Sequence, residues 1–146
     1  MIKLNVVAVG TLKEKFWTDA VGEYAKRISR YANIKIIEVA EKRTIEEEGK
    51  EILKKISGYP IAMDIKGQIV SSEEFAGFFN KKLLEGTSEF SLIIGGSEGL
   101  SDEVKKACPT KISFGKVTYP HQLMRVILTE QIYRALTIMN NVTYHK

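Results

Sequence analysis

Cysteine and histidine are scarce in this 146-residue chain, and each scarcity removes a class of function. Cys108 is the single cysteine, so no intrachain disulfide can form and a reducing, cytoplasmic setting is expected. Two histidines, His121 and His145, offer no zinc-type ligand cluster, and no metal is expected. The apolar run from Leu4 to Val9 is too short for a signal peptide or a membrane span, so no membrane partner is expected either. Low-complexity tracts and internal repeats are also lacking.

The familiar nucleotide signatures are missing too. A dinucleotide fingerprint needs G-x-G-x-x-G after the first strand, and that turn offers only Gly10. The later glycine loop carries Glu98, whose carboxylate opposes a pyrophosphate. No G-x-x-x-x-G-K-[ST] loop exists. Asp64 and Lys116 sit where a phospho-receiver would place an acid and a lysine. However, Val7-Ala8-Val9-Gly10 supplies no acidic pair to hold magnesium. There is no strand–G-x-S-x-G–helix elbow, so no Ser-His-Asp arrangement can be composed.

What is present is a globular composition, 44% hydrophobic with a net charge of +4, that fits one domain and an anionic partner such as nucleic acid. Short apolar runs predict strands over Ile2–Val9, Ile34–Val39, Ile61–Ile65, Phe90–Ile94 and Lys111–Phe114, with Lys66-Gly67 as a turn. Between them lie helical patterns. Phe16, Trp17, Val21, Tyr24 and Ile28 recur at helical spacing over residues 13–30, opposite a basic face of Lys13, Lys15, Lys26, Arg27 and Arg30, a pattern that is ordinarily a solvated face. Thr44 with Glu47, and Ser71 with Glu74, read as capping boxes. Ser101 opens a short helix ended by Pro109. The alternation predicts an α/β fold, a mostly parallel five- to six-stranded sheet with helices on both faces.

Ligands of such sheets bind beyond the carboxyl ends of the strands. The segments there are Gly10, Ile65–Gly67, the Gly95-Gly96-Ser97-Glu98-Gly99 loop and the loop from Gly115 to His121. Apolar walls, backbone groups and few acids suit an adenine-bearing ligand and a reaction whose leaving group needs no acid. Methyl transfer from a sulfonium is one such reaction, because the thioether departs neutral. The last helix, from about His121 to Asn140, is apolar nearly all round, which fits a homodimer formed through it or, more plainly, a central core helix in a monomer.

Several strings are specific. Gly95-Gly96-Ser97-Glu98-Gly99-Leu100, Thr118-Tyr119-Pro120-His121-Gln122, Glu130-Gln131-Ile132-Tyr133-Arg134-Ala135 and Tyr144-His145-Lys146 make the chain similar to the RlmH (YbeA-like) ribosomal RNA methyltransferases of the SPOUT superfamily. The resemblance covers nearly the whole chain. It implies a SPOUT-type fold with a C-terminal trefoil knot, a homodimer, and S-adenosylmethionine as cofactor. It further implies methylation of N3 of a pseudouridine in the helix-69 hairpin of 23S ribosomal RNA, on assembled ribosomes. Carried over by motif, the cofactor residues are Met63, Gly95, Phe114, Gly115, Lys116, Val117, Thr118 and Tyr119. Met63 stands where relatives usually have leucine, and Gly115 where they often have serine. The connection from Val39 to Thr44 is shorter than in many members.

The resemblance also gives the C-terminal tail a function. Tyr144 and His145 are expected to reach the target base across the dimer interface, with His145 as a candidate general base for the N3 proton. Arg125 is counted with them as catalytic through a substrate phosphate. The plainer reading of Arg125 and Arg134 is an ion pair, for instance with Glu130, because a buried arginine needs a partner. His121 is read as a cap or a loop-orienting donor. Two other functions fit the same fold, a non-catalytic RNA- or ribosome-binding module and a phosphate-responsive signalling domain.

Overall fold

Valine, isoleucine and leucine dominate the strands, and alternate residues of each serve opposite faces. The computed structural model describes residues 1–144. In chain order the elements are β1 (Ile2–Val9), α1 (Lys15–Ile28), β2 (Ala32–Val39), α2 (Ile45–Lys55), β3 (Tyr59–Ile69), α3 (Ser72–Leu84), β4 (Glu89–Ile94), α4 (Asp102–Ala107), β5 (Thr110–Ser113) and α5 (His121–Met139). The five strands form one parallel sheet in the order β2-β1-β4-β3-β5. No sixth strand joins it among the described residues.

That order decides where the helices go. Crossovers between parallel strands are right-handed. The steps β1 to β2 and β3 to β4 run one way across the sheet, so α1 and α3 share a face. The steps β2 to β3 and β4 to β5 run the other way, so α2 and α4 share the opposite face. The two cores follow. Leu4, Val6 and Ala8 of β1 join Ile28, Phe75, Phe79, Leu128 and Ile132 in one. Val7 and Val9 join Ile52 and Val104 in the other. The helix α5 packs between α1 and α3.

The ends of the helices follow local chemistry. Ser71 and Glu74 form a complete capping box, each accepting the other's backbone N–H at 3.0 and 2.8 Å. Thr44 completes only half of its box. It accepts the Glu47 N–H at 3.1 Å, but the Glu47 carboxylate meets the Thr44 hydroxyl instead of its amide. Asn140 and Asn141 stop α5, with Asn141 at φ 55, a left-handed conformation that asparagine tolerates.

One expectation is corrected. Lys66-Gly67 is not a turn, and β3 continues through it to Ile69. Met63 and Gln68 both pair with Ile112 of β5, so residues 64–67 bulge out of the ladder. Gly67 permits this, since a Cβ there would lie 2.6 Å from the carbonyl carbon of Lys111. A glycine between polar neighbours reads as a turn in sequence, yet here its bare backbone lets a second strand approach.

Arg125 is the largest fully buried side chain, 1% exposed. Its guanidinium donates to Glu38 Oε2 at 2.5 Å and to the carbonyls of Val9 and Gly10 at 3.3 and 3.0 Å. It therefore ties α5 to the carboxyl ends of β1 and β2. The partner is not Glu130. That residue pairs with Arg134, whose Nη2 lies 2.8 Å from Glu130 Oε2.

The pair is asymmetric, because Glu38 keeps 37% of its side-chain surface in water. Removing its carboxylate strands a buried cation, whereas removing Arg125 leaves the buried carbonyls of Val9 and Gly10 without their donor. Glu38→Gln and Arg125→Met should each cost about 3 kcal/mol, read by urea denaturation. A loss below about 1 kcal/mol from Arg125→Met would contradict this account.

Candidate active site

Helices leave β3 and β4 on opposite faces, which opens a crevice at the carboxyl end of the sheet. A cleft of about 320 Å³ lies there. Its apolar wall comes from Met63, Ile94, Leu100, Ile112, Phe114 and Met124, and its polar groups include Asp64, Lys66, Glu98, Lys105 and His121. The Phe114 ring stands edge-on against Phe75, 5.3 Å between centroids, which fixes the start of the loop after β5.

Two tight loops shape the cleft. At Gly95 an added Cβ would come within 2.5 Å of the Gly99 carbonyl oxygen. The Gly99 N–H donates to Gly96 O at 3.1 Å and closes that loop on itself. In the second loop the Ser113 hydroxyl donates to Gly115 O at 2.7 Å and accepts the Gly115 N–H at 3.2 Å. Gly115 has φ 127, where a serine would be strained, so its glycine suits the loop as built here.

The comparisons with known proteins agree along the whole chain. The family described as predicted SPOUT methyltransferase matches residues 2–145. The chain belongs to the SPOUT methyltransferase family. The ribosomal RNA large subunit methyltransferase H of Carboxydothermus hydrogenoformans is 46% identical, with 99% of this chain and all of that protein aligned. The protein of the same name from Limosilactobacillus reuteri is 45% identical over the same shares. Among solved structures, a protein of Haemophilus influenzae Rd KW20 described as a methylase-family member superposes with a TM-score of 0.57 at 13% identity, over 98% of this chain and 70% of that one. The TrmH/SpoU tRNA-modifying enzyme of A. aeolicus gives 0.50 at 15% identity, over 94% and 75%. These two likenesses concern the fold.

Within this SPOUT fold, Met63, Gly95, Phe114, Gly115, Val117, Thr118 and Tyr119 all line the cleft. Lys116, in the same loop, is exposed and lines no part of it. Arg125 lies in the core behind α5 and does not line the cleft. Nor does Tyr144. Its hydroxyl donates to Glu130 Oε2 at 3.0 Å, and its ring packs against Tyr133 and under the Arg134 guanidinium, 4.6 Å away. Burial, and then the Glu130 carboxylate, push the Tyr144 phenol above its usual range, so it stays a neutral donor. His145 lies outside the described residues.

Other assignments shift. Pro120, not His121, holds the N-cap position of α5 and has no side chain to cap it, while His121 lines the cleft. On the basic face of α1, Lys26 is exposed, but Arg27 is paired with Glu23 at 2.8 Å and lies over the Tyr133 ring. Asp64 and Lys105 escaped the sequence reading as site residues. The bulge in β3 brings Asp64 into the cleft wall, and only the crossing of α4 over the sheet brings Lys105 beside it.

The glycine loops give a stability test. Gly95→Ala should cost about 2 kcal/mol, because the loop backbone must move to admit a methyl group. Gly22→Ala in α1, where a Cβ meets nothing within 4 Å, should instead stabilise by about 0.5–1 kcal/mol. Denaturant midpoints of the two variants check both signs.

Proposed function

We propose that this SPOUT protein is an S-adenosylmethionine-dependent methyltransferase of 23S ribosomal RNA. Its target in this reading is N3 of a pseudouridine in the helix-69 hairpin, on assembled ribosomes. The observation that carries the reading is the cleft itself. It lies at the carboxyl ends of β3, β4 and β5 in a chain aligned end to end with proteins named ribosomal RNA large subunit methyltransferase H.

The residues fit the cofactor. At Gly115, where an added Cβ would meet nothing within 4 Å, backbone can come close to a bound ring, and Met63, Ile94 and Leu100 give it an apolar bed. In this reading main-chain groups in the run 114–119, which borders the cleft, meet the edge of the adenine. When bound, S-adenosylmethionine supplies a methyl group on a sulfonium that leaves as a neutral thioether. The chain's own part is to orient that methyl, exclude water and remove the N3 proton. His145 takes that proton in this reading.

The reading includes a homodimer. Tyr144 docks beside Glu130, Tyr133 and Arg134, none of which lines its own chain's cleft. A tail that serves a cleft therefore serves that of a second copy. Leu123, Val126 and Ile127 of α5 are only half-buried and Ile138 is 38% exposed, which leaves an apolar face for that copy. Arg125 acts as a positioning residue for α5. A trefoil knot, with the two cleft loops as its crossing segments, and a cytoplasmic location complete the proposal. No helix among the described residues is long and apolar enough to cross a membrane.

Purified protein, intact ribosomes and labelled cofactor, followed by mass spectrometry of the RNA, test the reading. A single methyl group on the hairpin pseudouridine is the expected product. Deleting residues 144–146 should abolish transfer and spare cofactor binding. His145→Ala should slow transfer by about 100-fold or more. Ribosome binding without any transfer would favour the non-catalytic module instead.

A further inference from the structure

Asp64 stands apart from the rest of the cleft. Its side chain is 13% exposed in a largely apolar wall. Oδ1 accepts the Lys66 backbone N–H at 3.0 Å. Oδ2 faces Lys105 Nζ at 3.9 Å, longer than a hydrogen bond. Glu98, the other carboxylate in the lining, is exposed and needs no partner. A carboxylate as buried as Asp64 is costly unless it is well paired, and this pair is loose.

We infer that Asp64 and Lys105 form a subsite for a zwitterion, the α-ammonium and α-carboxylate of the cofactor's amino-acid end. The inference rests on the cofactor reading above and names the part of that ligand the two residues hold. Adenine and ribose carry no charge; a ribose diol could engage the Asp64 carboxylate but gives Lys105 no counter-charge. A phosphate calls for cations and is repelled by Asp64. A zwitterion calls for one charge of each sign a few ångströms apart, as found here. Without ligand the two side chains neutralise one another across 3.9 Å. With ligand, Asp64 accepts from the ammonium and Lys105 donates to the carboxylate, which replaces one loose pair by two charge-assisted hydrogen bonds. The bulge at residues 64–67 makes this possible by placing an acid past the last β3–β5 pair before the slip.

Two ligands separate the inference from the reading beneath it. S-adenosylhomocysteine carries the zwitterion, and 5′-methylthioadenosine has the same nucleoside and thioether without it. Calorimetry on the full chain should show wild type preferring S-adenosylhomocysteine. Asp64→Asn, which keeps the acceptor for the Lys66 amide, should weaken S-adenosylhomocysteine about tenfold or more and leave 5′-methylthioadenosine unchanged. Lys105→Met, at a half-exposed site, should do the same. Equal losses for both ligands, no loss for either, or a wild type that does not distinguish them would overturn the subsite alone. A wild type that binds neither ligand overturns the cofactor reading and the subsite with it.

Discussion

One buried guanidinium joins three parts of the chain that are far apart in sequence. Arg125 enters from α5 and ends among the carbonyls that close β1 and the carboxylate that closes β2. Its Nε is buried without a partner among the described residues, so the site is not an optimised ion pocket. What it provides is placement. The carbonyls of Val9 and Gly10 lie past the last ladder bonds of a central strand, where burial would otherwise leave them unsatisfied. Glu38 also accepts the Leu12 N–H at 3.3 Å, so the loop after β1 is held in the same cluster. Because His121 and Met124 lie in the first turn of this helix, the cluster also sets one wall of the cleft.

The cleft is then a product of topology more than of any one residue. The chain leaves β4 toward one face and β3 toward the other, so their loops part. Two closely held loops keep the separation narrow. Gly95 lets Gly99 fold onto it, and Ser113 pins the first peptide of the loop after β5. Both loops are closed by short-range bonds within themselves, so the rim of the cleft has one defined shape.

Much of this was legible in the sequence. Strong β-branched runs and two capping signals give the order and type of every element, and the glycine loops give the position of the cleft. The errors fall where long-range contacts overrule local signals. Lys66-Gly67 looks like a turn until β5 lies against it. Arg125 and Arg134 look alike on a helix, yet one is buried against two strand ends and the other pairs within its own helix. The partner of Arg125 is 87 residues away, and no spacing rule reaches that far. Lys105 shows no pattern of its own, because only the crossover of α4 brings it to Asp64.

The two outer strands limit how copies of this chain can meet. The outer strand β5 has only four residues. At the opposite border, β2 exposes Asn33, Lys35 and Glu38 along its length. Short borders and borders studded with charge resist the addition of a foreign strand, which guards a parallel sheet against open-ended stacking. Both borders therefore offer a poor template for continuing the sheet into another molecule.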